Sequence, residues 1–85
     1  MIAPQLSAQE SAVAQQQTNQ SLGIAEKNLG AARGKNLNAT QVDLVSKIRG
    51  FMKDAREAAQ ITDWEHARSL AKKAQVLSEE LAASL

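Results

Sequence analysis

Apolar residues recur along this chain every three to four positions, the spacing that one face of a helix demands. The pattern is clearest over residues 40–60. There Leu44, Val45, Ile48, Phe51, Met52, Ala55, Ala58 and Ala59 fall within one arc of about 140°. Asp43, Lys47, Lys53, Asp54 and Glu57 lie outside it. Over residues 63–84, Trp64, Ala67, Leu70, Ala71, Ala74, Leu77, Ser78, Leu81 and Leu85 share one side, with His66, Lys72, Lys73, Glu79 and Glu80 opposite. Residues 7–30 are less tidy. Ala14, Thr18, Leu22, Ala25 and Leu29 make one face, and Leu6, Val13 and Ile24 sit nearly opposite, so the two sets are not expected to face the same neighbour.

Helix starts are written in capping chemistry. Ser7-Ala8-Gln9-Glu10 has the form of a capping box, with a hydroxyl for an orphan amide and a carboxylate reaching back. Thr40-Gln41-Val42-Asp43 is a weaker version, because Asp43 is short for the return bond. Thr62-Asp63-Trp64-Glu65 is a full box, with Asp63 as an alternative cap. Gly30 and Gly34 bracket the expected end of the first helix, and residues 31–39 read as a loop anchored by Leu37. Gln60-Ile61-Thr62 leaves only a tight turn, which forces antiparallel neighbours.

These signals predict an all-α fold: a three-helix, up-down-up bundle with helices over about 7–30, 40–60 and 63–84, in a single domain from 7 to 85. Residues 1–6 are expected to be frayed or disordered. Small residues (Ala55, Ala58 and Ala59; Ala67, Ala71 and Ala74) gather near the last turn, so the final two helices are expected to touch closely there and to splay towards the open end.

Composition narrows the picture. The chain has 85 residues, a net charge of +1 and no cysteine, which allows one domain and excludes disulfides and thiolate metal sites. From Gln41 onward, seven bases (Lys47, Arg49, Lys53, Arg56, Arg68, Lys72, Lys73) meet seven acids (Asp43, Asp54, Glu57, Asp63, Glu65, Glu79, Glu80). A nucleic-acid binder needs a net basic surface to displace counterions, so none is expected as partner. The apolar runs are too short for membrane insertion. Met1-Ile2-Ala3-Pro4 is too short and uncharged for a signal peptide, and Met1 reads as a start codon on an excised domain.

Candidate chemistry is sparse. His66 is the only histidine and has no second ligand at helical spacing. Asp63 and Glu65 suit capping and the helix dipole rather than acid–base work. Trp64 reads as core or as a plug at the turn, and Lys72-Lys73 as solvated surface. The loop from Gly30 to Gly34 lacks the strand and the lysine-serine ending of a phosphate loop. No catalytic, cofactor-binding or metal-binding residues are therefore expected, and no cofactor. The exception to a bland reading is the second stripe, Leu6, Val13 and Ile24, which is predicted to contact a partner.

Residues 51–77 resemble a single tetratricopeptide repeat. The turn Thr62-Asp63-Trp64 stands where that family has Gly-Asp-Tyr or similar. Ala55 matches the small residue of its first helix, Ala67 and Ala74 those of its second, Phe51 its first aromatic and Leu77 a late aliphatic. Asp54, Ala58 and the lack of a closing proline depart from it. The arrangement is also similar to small helical domains of bacterial envelope proteins. Together these resemblances imply a non-enzymatic interaction or scaffolding domain, cut from a larger protein, that binds a protein or peptide of unknown identity. The alternative is a structural homo-oligomer joined through the first helix. The envelope resemblance alone points to a compartment.

Overall fold

The computed structural model describes residues 6–85. It holds three helices and, among the described residues, no strand: α1 (Ala8–Ala32), α2 (Ala39–Gln60) and α3 (Trp64–Ala83). The body is elongated, 49 × 21 × 17 Å. The expected fraying of residues 1–5 lies outside the described residues. Leu6, expected to fray with them, is half-buried.

Each start shows its cap. The Glu10 amide donates to Ser7 Oγ at 3.1 Å, and the Ser7 amide to Glu10 Oε1 at 3.3 Å, which completes the box predicted from the sequence. α2 begins one step earlier than expected. Asn38, not Thr40, is its cap: the Gln41 amide donates to Asn38 Oδ1 at 2.8 Å, and the Asn38 amide to Gln41 Oε1 at 2.9 Å. Glutamine is long enough for the return bond where Asp43 is not. At α3 the cap is Asp63, which accepts from the His66 amide at 3.3 Å. Thr62 is no cap. It sits at φ 57°, and its hydroxyl donates to the Ile61 carbonyl at 2.7 Å. A β-branched residue in the left-handed region costs about 1–2 kcal/mol, which is the strain of so tight a turn. α1 runs past Gly30 to Ala32, and the left-handed position falls on Gly34 at φ 76°.

The order across the molecule is α1, α3, α2. α3 packs along both others, whereas α1 and α2 meet only lightly. Side-chain bonds fix the directions. Gln17 pairs with Arg68, Ser21 with Gln75 and Asn28 with Ser78, so α1 and α3 run parallel. Gln41 reaches Ser84, so α2 and α3 are antiparallel. This is the up-down-up order.

The fully buried stripe of α1 is Ala14, Thr18, Ser21, Ala25 and Ala32; that of α3 is Ala67, Ala71, Ala74, Ser78 and Leu81. Small side chains let the two backbones approach closely, and the buried hydroxyls are satisfied within the same seam. Thr18 Oγ1 donates to the Ala14 carbonyl at 2.7 Å, and Ser21 Oγ to Gln75 Oε1 at 2.8 Å. Larger residues fill the open end. Ala25, Ala32, Ile48, Met52, Ala74 and Leu81 form one cluster, backed by Leu22, Leu29, Leu37, Leu44, Val45, Phe51 and Leu77. The small-at-the-turn, large-at-the-end arrangement follows the sequence pattern.

Candidate interaction surfaces

The stripe Leu6, Val13 and Ile24 divides in the structure. Val13 and Ile24 lie on one flank of α1, roughly 90–110° from the buried small-residue stripe, with Leu6 just before the helix, while Leu22 and Leu29 lie roughly 50–70° away on the other flank. Two apolar flanks around a stripe of alanine, threonine and serine can both touch the hairpin, one beside α3 and the other towards α2. The expectation that Leu6, Val13 and Ile24 could not reach it therefore holds only for Val13, which is 44% exposed. Ile24 is half-buried and lines the groove between α1 and α3 with Gln17, Gln20, Arg68 and Lys72. Leu6 belongs to a hollow at the end of the molecule, with Ile61, Trp64 and Glu10.

Trp64 is half-buried in that hollow, beside Ile61, which is 74% exposed at the turn. Its ring closes the turn end rather than lining a deep site. His66 is exposed, with Nδ1 3.6 Å from Asp63 Oδ2. Glu65 and Arg68 pair one turn apart on the surface of α3. The bond from the Arg68 guanidinium holds the Glu65 carboxyl below its ordinary range and raises Arg68 in turn. Among the described residues no three histidine, cysteine, aspartate or glutamate side chains come together to hold a metal. No helix among them is long and apolar enough to cross a membrane.

Two further surface features join residues distant in sequence. On the outer side of the hairpin, Lys73 Nζ lies 5.8 Å from the Phe51 ring centroid, next to Leu77 and the half-exposed Val76. Between α1 and α2, where packing is light, a groove is lined by Glu26, Leu29, Arg33, Arg49, Met52 and Arg56. Arg56 bonds Glu26 across it. Neither feature is readable from linear spacing, because each joins residues from two parts of the chain that are distant in sequence.

These observations define an all-α, three-helix domain with exposed apolar and charged surface. No protein-family model matches the chain, and neither a curated protein nor a solved structure matches it.

Proposed function

We propose that this is a non-enzymatic interaction or scaffolding domain whose partner, a protein or peptide, is met through the free flank of α1 at Val13 and Ile24. The observation that carries this reading is the exposure of Val13 on the same flank of α1 as half-buried Ile24, about 16 Å further along the helix. Covering aliphatic surface there gains free energy, whereas covering Lys72, Glu79 or Glu80 first strips water from charges. The tetratricopeptide resemblance supports an interaction role, and the complete burial of Ala55, Ala67 and Ala74 is compatible with it. Placement in a bacterial envelope rests on resemblance alone.

The test replaces Val13 and Ile24 together with serine. Val13→Ser should be near neutral for stability, and half-buried Ile24→Ser should cost about 1 kcal/mol. Photocrosslinking from position 13 in cell extract should capture a partner, and the double replacement should remove it. A loss of several kcal/mol in stability would instead place both residues in the core and defeat the proposal. Sedimentation separates the structural homo-oligomer, the second reading. A wild-type mass that rises with concentration and falls back in the double variant favours it, and a concentration-independent monomer rules it out.

A further inference from the structure

We infer that the groove between α1 and α2 binds an acidic segment of a partner protein, with its carboxylates on Arg33 and Arg49 and an aliphatic side chain over Leu29 and Met52. The groove carries three guanidinium groups and one carboxylate. Glu26 is taken by Arg56. No described acid lies within ion-pair distance of Arg33 or Arg49, so two exposed guanidiniums remain with their planar donor forks open. By contrast Lys47, Lys53 and Arg68 each have an acid within one turn. Lys27, Lys35, Lys72 and Lys73 also lack an acid partner among the described residues, but Arg33 and Arg49 are the two open guanidiniums, and both line one groove where two helices part. Each further cation there raises the potential felt by the others, and an incoming carboxylate relieves it.

The groove also has an apolar floor. Leu29, half-buried between the charged rims and backed by the buried Met52, is the part that a side chain of the incoming segment would cover. A protein segment fits better than nucleic acid. Two open cations are few for a phosphate backbone, Glu26 stands on the rim, and the whole chain carries only +1. The inference is independent of the contact proposed at Val13 and Ile24, which occupies the opposite flank of α1.

The probe is a fluorescein-labelled peptide of repeated Glu-Glu-Leu, titrated with the full chain and followed by anisotropy. Binding should weaken sharply as salt rises from about 20 to about 200 mM, because screening shortens the reach of these charges. Arg33→Gln with Arg49→Gln should weaken it by about five- to tenfold. Lys72→Gln with Lys73→Gln, on α3, should leave it unchanged, as should the Val13 and Ile24 serine variant. Methyl resonances of Leu29 and Met52 should shift on titration. The charge-reversed pair, Arg33→Glu with Arg49→Glu, should switch preference to a Lys-Lys-Leu peptide, which guards against reading a folding defect as lost binding. Absence of binding at low salt overturns the proposal. So does equal weakening by the lysine pair, or tighter binding of a single-stranded oligonucleotide than of the acidic peptide.

Discussion

At the scale of single residues, Gln41 does more than its polar type suggests. It is buried at the first turn of α2, returns the cap to Asn38, and donates from Nε2 to the carbonyl and hydroxyl of Ser84 at 3.1 and 3.0 Å. One amide therefore closes the start of α2 and ties it to the end of α3. Gln41→Ala should remove all of these bonds and leave the Asn38 amide without its partner. The expected cost is about 1–2 kcal/mol, read as a lowered urea midpoint with unchanged slope. A midpoint equal to the wild type would mean that this end of the hairpin frays in solution. Residue spacing showed that α2 starts near here, yet two overlapping boxes compete for the start. Asn38 prevails because Gln41 can span the return distance, and the tie to Ser84 depends on a fold that spacing cannot display.

At the scale of the elements, helix existence and type were legible, because α2 and α3 bury sustained aliphatic faces. On α1 the face of Ala14, Thr18, Leu22, Ala25 and Leu29 was legible, but the contact of Leu6 and Ile24 with the hairpin was not. The helix's buried stripe is Ala14, Thr18, Ser21 and Ala25, which hydropathy scores as nearly neutral, while its leucines and isoleucine lie on the flanks. A reading that looks for leucine takes the flanks for opposed faces. Gly50 sits in the middle of α2, and nothing in the structure gives a reason for glycine there. A Cβ built on Gly50 meets nothing within 4 Å. Gly50→Ala should therefore stabilise α2 by about 1 kcal/mol, through propensity and a narrower unfolded ensemble. Thermal unfolding checks this. A lowered melting temperature would show instead that the added methyl meets a neighbour within the chain.

At the scale of the whole molecule, α3 is the shared wall and the two outer helices depend on it. The hairpin of α2 and α3 leaves the α3 stripe of Ala67, Ala71, Ala74 and Ser78 without its α1 cover. A chain reduced to residues 36–85 should accordingly lose cooperative unfolding, or associate to replace the missing helix. Circular dichroism and sedimentation on that fragment decide the matter. A monomer with a sharp transition would show that the hairpin is self-sufficient. The open groove between α1 and α2 comes from the same arrangement. Because both lean on α3 rather than on each other, charged residues can line their junction without being buried, and that surface was invisible in a sequence where Arg33, just past α1, and Arg49, in α2, lie sixteen residues apart.

The seam between α1 and α3 also poses a problem of alignment. Alanines and short hydroxyls make a nearly smooth rail, and sliding α1 by one turn, about 5.4 Å, would set small residues against small residues again. Apolar burial alone barely distinguishes the two settings. The bonds from Ser21 to Gln75 and from Asn28 to Ser78 distinguish them, because a slipped helix would leave part-buried donors and acceptors unmatched. These contacts act as detents on the rail. They add little to how firmly α1 is held and decide where along α3 it stops.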